Sequence, residues 1–201
     1  MNKILSLVMV ALALVAAGAW AGDDTSTEQE NAYLALVLKH ADSEGGYTVV
    51  APQTGLSHVH RGDEQQTRQS KQYIIEQFAK SGAEVSKDAV AALVDRLFER
   101  NKKSVRLSLK SSPGDGYIID DGEYEKYFQD GGGGWEKWHK ERPQAHGYTT
   151  VSIPVYDEKS GLLMLYIGTQ SDWLAGAGWV VLFRYENGSL HAIGRVMMWI
   201  S

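Results

Sequence analysis

The stretch Trp179-Val180-Val181-Leu182-Phe183-Arg184-Tyr185-Glu186-Asn187-Gly188-Ser189-Leu190 decides the fold class. Its first half is rich in β-branched and aromatic residues, the composition of a strand. Asn187-Gly188 then reverses the chain, because both central positions of a tight hairpin turn need positive φ and these residues tolerate it best. A second strand is predicted over 190–200. Working outward, Leu162 to Thr169 reads as another strand, entered through turn chemistry at Asp157 to Gly161, and a fourth lies near 148–156. The connection Gln170 to Gly176 is read as the longest loop between them. The C-terminal third is thus predicted to be an antiparallel meander.

The N-terminal part has a different period. Thr27 and Glu30 have capping-box spacing, and Tyr33, Leu34, Val37, Leu38 and Ala41 then fall on one helical face. Gly45-Gly46 ends that helix, and Tyr47 to Val50 is a short strand stopped by Pro52. A loop leads to a second helix starting near Asp63, with Tyr73, Ile74 and Phe78 as its apolar stripe. Ser86 opens a third, with Val90, Leu93, Val94, Leu97 and Phe98 inward and Asn101 closing it in the left-handed conformation. Val105, Leu107 and Leu109 alternate with polar residues, as in a half-buried strand. Tyr124, Tyr127 and Phe128 suit a short helix, and Trp135 with Trp138 another that ends before Pro143. Helices first and strands last predict an α+β domain, its N-terminal helices packed on one face of a mainly C-terminal antiparallel sheet.

The start of the chain reads as an address. Lys3 is followed by the apolar run Ile4 to Ala17, and Ala19-Trp20-Ala21 is a small-x-small cleavage site. Residues 1–21 are therefore expected to be a signal peptide, with 22–201 as a single domain; the alternative is that residues 4–21 stay on as an anchor. The expected compartment is periplasmic or secreted. The chain of 201 residues has no cysteine, which excludes a lipobox, disulfides, a thiol nucleophile and cysteine-ligated zinc. With 25 acidic against 20 basic side chains, non-specific nucleic-acid binding is not expected. No apolar run after residue 22 approaches the roughly 20 residues of a membrane span.

Few residues carry a chemical signature. His58 and His60 alternate as two metal ligands on a strand would, but the flanking Gly55, Ser57, Arg61 and Gly62 read as loop and no third ligand is spaced to join them. Arg61-Gly62-Asp63 matches an adhesion tripeptide at a length that arises by chance. Asp115, Asp120, Asp121, Glu123 and Glu125 could hold a hydrolytic carboxylate pair, yet acids at helix N-termini explain them as well. Glu136 and His139 lie three apart on the Trp-bearing helix, where they could ligate a metal or shuttle a proton or simply make an exposed contact. There is no Gly-x-Ser-x-Gly elbow and no Walker loop. Ala175-Gly176-Ala177-Gly178 precedes a strand rather than a helix, which is the wrong order for a dinucleotide site. No metal and no cofactor is expected.

The aromatics are the better pointer. Trp135, Trp138, Tyr148, Trp173 and Trp179 crowd the final third, three of them beside glycine. Such rings form platforms for sugar faces or for a partner's apolar anchor, although Trp135, Trp138 and Trp179 equally suit packing of a helix onto the sheet. Trp173 follows the polar Gln170-Ser171-Asp172 and has the weakest claim to the core. Asp172 and Trp173 are therefore the first candidates for recognition, with Trp135, Trp138, Glu136 and His139 behind them.

Gly134-Trp135, Trp138, Pro143, Gly147, Ser152, the strand Leu163 to Gly168, Leu174 to Trp179 and the closing Trp199-Ile200-Ser201 resemble, in that order, an uncharacterised family of exported bacterial proteins ending in a Trp/Gly-rich hairpin with Trp-x-Ser. Tyr33 to Thr54 is similar to the start of that family. The resemblance implies export and a single α+β domain, and brings no activity with it. The functional expectation is an exported, non-enzymatic binding or interaction module, possible forms being an inhibitor or immunity protein. Its partner would be a protein or a cell-envelope glycan. The alternative is a hydrolase of envelope glycan or peptidoglycan using acids from 115–125 or the Glu136/His139 pair.

Overall fold

The computed structural model describes residues 25–41, 45–56, 59, 63–82, 84–129 and 131–201. The expected signal segment 1–21, both His58 and His60, and Arg61-Gly62 lie outside the described residues. The elements run α1 (Glu28–Ala41), β1 (Tyr47–Val50), α2 (Glu64–Lys80), α3 (Lys87–Arg100), β2 (Tyr117–Ile119), α4 (Tyr124–Phe128), α5 (Gly134–Glu141), β3 (Ala145–Val151), β4 (Val155–Asp157), β5 (Leu162–Asp172), β6 (Ala175–Glu186) and β7 (Ser189–Ile200). The protein is α+β, with its helices mainly N-terminal and its sheet mostly C-terminal. Among the described residues no helix is long and apolar enough to cross a membrane.

The meander is present: β5, β6 and β7 pair antiparallel in sequence order. Asn187 and Gly188 adopt φ of 52° and 81° at the β6–β7 turn, the conformation that the Asn-Gly pair predicted. The other half of the sheet is parallel. β1 lies between β2 and β3 and runs parallel to both, giving the order β2-β1-β3-β5-β6-β7, with β4 also on β5. The sheet is therefore mixed rather than wholly antiparallel. The reason is that β1 and β2 precede the meander in the chain and join its first strand by long crossovers.

Side chains alternate across a strand, so β5 feeds two cores. Leu162, Met164 and Tyr166 pack with Ile74 and Phe78 of α2 and with Val90, Leu93, Val94, Leu97 and Phe98 of α3. Leu163 and Leu165 face the other way, onto Tyr33, Leu34, Val37 and Leu38 of α1. The helices thus cover both faces, not one as the sequence suggested. The capping box that starts α1 forms: Thr27 Oγ1 accepts from Glu30 N, and Glu30 Oε2 accepts from Thr27 N at 2.8 Å. Glu30 also accepts two hydrogen bonds from the Arg100 guanidinium, at 2.6 and 2.9 Å, linking α1 to the end of α3.

Asn101 does not close α3 in the left-handed conformation; its φ is −108°. Its side chain is used instead, donating to Leu97 O and Ile153 O and accepting from Ile153 N. Those groups need partners because β3 and β4 track one strand, β5, with a break at Ser152, Ile153 and Pro154. Ser152 Oγ accepts from Tyr166 N at 2.8 Å and so takes the place of a ladder carbonyl. The 105–109 segment alternates in burial as expected but is no strand of the sheet. Val105 N donates to Thr54 Oγ1 and Leu107 N to Pro52 O, so it lies against the chain after β1.

Candidate functional site

Gln170 to Gly176 is not a loop. β5 and β6 stay paired up to Asp172 and Ala175, which leaves Trp173-Leu174 as the tip of a long hairpin. The tip is fastened by its own polar groups. Asp172 Oδ1 accepts from Trp173 N at 2.7 Å, Ser171 Oγ donates to Ala175 O at 2.9 Å, and Gln170 Nε2 donates to Asp172 O and to Ser201 Oγ. The polar run that suggested a loop is what braces the turn.

Trp173 is 67 % exposed and Leu174 84 %, the two most exposed large apolar side chains outside the end of β7. Trp173 nevertheless has a fixed seat. Its ring meets Phe128 edge-on at 5.6 Å between centroids. Its Cζ2 lies 2.9 Å from where a Cβ on Gly134 would sit, so only a glycine admits the ring this closely. Gly134 also has φ of +58°, a conformation glycine takes without strain.

Behind Trp173 the rings are continuous. Phe128 meets Trp135 at 5.1 Å, Trp135 meets Trp138 at 5.9 Å, and Tyr124 meets Trp138 at 5.4 Å and stacks on Tyr148 at 3.6 Å. Trp135 and Trp138 are 3 % and 0 % exposed, so their rings serve the core and offer no face to a partner. Trp138 Nε1 is buried without an acceptor among the described residues, a cost of about 1–3 kcal/mol. Burying a ring of roughly 200 Å² at about 25 cal/mol/Å² contributes about 5 kcal/mol, which outweighs it. Burial, with Asp120 nearby, pushes the Tyr124 hydroxyl up to about 12 and that of Tyr148 higher still.

Glu136 and His139 are exposed on the outer side of α5 and form no ion pair with each other. His139 stacks at 5.8 Å on Trp135. The acids of 115–125 are placed separately. Asp115 caps a short 3-10 turn at Ser112 and meets Lys39 at 3.5 Å; the Ser112 hydroxyl holds its carboxyl below the ordinary carboxylate value. Asp120 is buried and accepts from Tyr124 N at the start of α4, and Glu123 pairs with Lys126. Among the described residues, no three His, Asp or Glu side chains are grouped to hold a metal ion. Asp63, the described member of the adhesion-like tripeptide, caps α2 by accepting from Gln65 N.

Trp179 departs from its expected place between helix and sheet. It is half-buried on the face of the sheet that carries Ile167 and Val181, in contact with the Arg195 guanidinium, 4.4 Å from its ring centroid. Phe128 and Leu174 are the residues that sequence reasoning did not single out for this site. Position beside Trp173 was the available signal for Leu174; for Phe128 there was none, because its contact with Trp173 is tertiary.

No known protein family, curated protein or solved structure matches the chain.

Proposed function

We propose that this chain is an exported, non-enzymatic binding module of the cell envelope, whose Trp173-Leu174 hairpin tip enters a partner, either a protein or an envelope glycan. The observation that carries the reading is that a large aromatic and a large aliphatic side chain stand in solvent on a turn braced by three side chains. An unbraced exposed tryptophan would lose conformational freedom on binding; one already seated against Phe128 and Gly134 loses less, and such aromatic anchors dominate interfaces. The signal-like segment 1–21 supports export, as does the resemblance of the C-terminal third to exported bacterial proteins.

The test uses Trp173→Ala and Leu174→Ser in the mature chain, captured against isolated peptidoglycan and, separately, through a photo-crosslinker placed at position 174 in living cells. The reading expects one retained partner that both substitutions release while the thermal midpoint is unchanged. Retention of the same partner by both variants overturns it. Turnover of peptidoglycan by the wild-type chain, lost on neutralising Glu136 or Asp120, would favour a hydrolase instead.

A further inference from the structure

A second surface lies at the free edge of the sheet. Among the described residues β7 pairs with β6 alone, so along its twelve residues one side of the backbone meets no other described strand. Protein edges of this length usually carry proline, charged side chains or bulges that discourage pairing; Ser189 to Ile200 has no proline, lysine or acidic residue, and Arg195 and two register irregularities are its devices of that kind. Its two register irregularities fall beside Trp199 and beside Ala192, leaving Gly194 to Met197 as a regular stretch. On the sheet face that reaches this edge at Ile200, Ile167 and Thr169 of β5 and Ala177 and Trp179 of β6 line, with Ile200, an open groove of about 540 Å³. Ile200 is among the most exposed apolar residues of the protein and Met197 is exposed beside it. Arg195 lays its guanidinium on the Trp179 ring, which lines the groove, and is in no ion pair among the described residues.

We propose that the β7 edge and this groove form a docking site for an extended segment of a partner protein, which adds to β7 as a further strand. Backbone groups would pair along the edge, apolar side chains would extend the Met197 and Ile200 surface, and a carboxylate would meet Arg195. Charge selects this occupant over a second copy of the chain. β7 contains no acidic residue, so a copy paired on the same edge supplies no carboxylate for Arg195 and brings a second Arg195 and His191 with it. A strand, rather than a small ligand, is indicated because the unpaired backbone asks for backbone.

The experiment follows fluorescence anisotropy of a labelled decapeptide alternating valine and glutamate, added to the full chain, against the same peptide with lysine for glutamate. The glutamate peptide should bind at least about tenfold tighter, a difference of about 1.4 kcal/mol. Arg195→Gln should remove the preference and Arg195→Glu reverse it, with circular dichroism confirming the fold; if the charge reversal fails to fold, the glutamine variant decides. Amide exchange of residues 194–197 should slow when the glutamate peptide is bound. Equal binding of the two peptides, no saturable binding, or protection confined to other elements overturns the proposal. So does a concentration-dependent dimer that protects the same amides without peptide.

Discussion

The side-chain amide of Asn101 pairs with both backbone groups of Ile153, donating to its carbonyl at 3.0 Å and accepting from its N–H at 2.7 Å. A helix-end residue thereby does what a neighbouring strand would do at the break between β3 and β4. Asn101→Ala leaves two buried backbone groups unpaired and should destabilise the protein by about 3 kcal/mol, read from urea unfolding. Asn101→Asp keeps the acceptor and loses the donor, and should be no less harmful because it buries a charge. Wild-type stability in either variant would show that Ile153 finds other partners.

Arg100 and Glu30 are 13 % and 15 % exposed and join through two hydrogen bonds. Arg100→Met should cost about 3 kcal/mol, because it strands a carboxylate away from water. Adding Glu30→Gln should recover much of that loss, since the neutral amide no longer needs a cation. A double-mutant cycle in guanidinium measures the coupling; strictly additive losses would contradict it.

Burial raises the hydroxyl pKa of Tyr124, Tyr148 and Tyr166, that of Tyr124 to about 12. A group whose folded pKa exceeds its ordinary value near 10 contributes stability that is complete below that value and lost as pH climbs through the folded one. The protein should therefore weaken between about pH 10 and 12, with tyrosinate absorbance and loss of circular dichroism rising together. Tyr124→Phe removes one such group and should flatten that pH dependence, whatever it does at neutrality. Ionisation of every tyrosine near pH 10 in the folded chain would contradict the burial.

Gly134 gives Trp173 its seat. Gly134→Ala places a Cβ within 2.9 Å of the indole and forces a left-handed alanine, so the hairpin tip should shift and the fold lose about 1–2 kcal/mol. Trp173→Ala, by contrast, should leave stability within about 0.5 kcal/mol, because most of the ring is already in solvent. Thermal melts of the two variants distinguish these outcomes. A large loss from Trp173→Ala would make the residue structural.

The class of fold was legible where one physical rule acts alone. The Asn187-Gly188 turn follows from positive φ, and α3 from an apolar face at helical spacing. The capping box at Thr27 and Glu30 formed as read, while the second use of Glu30, with Arg100, was invisible because it joins residues far apart. β2 is three residues long and too short to leave a pattern. Gln170 and Ser171 looked like loop because polarity marks solvent, whereas here both are half-buried strand residues whose side chains fasten the hairpin tip. Asn101 was misassigned for a similar reason: a helix-ending asparagine ordinarily acts on its own turn, and nothing local announces the break at Ile153. Of the candidate site residues, Trp173 stands exposed as expected, whereas Trp135 and Trp138 belong to the interior.

The parallel pairing of β1 with β3 also sets the order in which the chain can fold. Thr48 and Thr149, whose hydroxyls meet across those strands at 2.8 Å, are separated by 101 residues. The β5–β7 meander closes through short turns and can assemble locally, but β1 must wait for a partner made much later. The apolar face of α1 is completed late as well: it shares its core with Val50, Val105, Leu107 and Tyr117, but also with Leu163, Leu165, Phe183 and Leu190 from the last quarter of the chain. During synthesis Leu34, Val37 and Leu38 are therefore only partly covered until the meander is made, a natural handle for a chaperone and a point at which an incomplete chain is prone to aggregate.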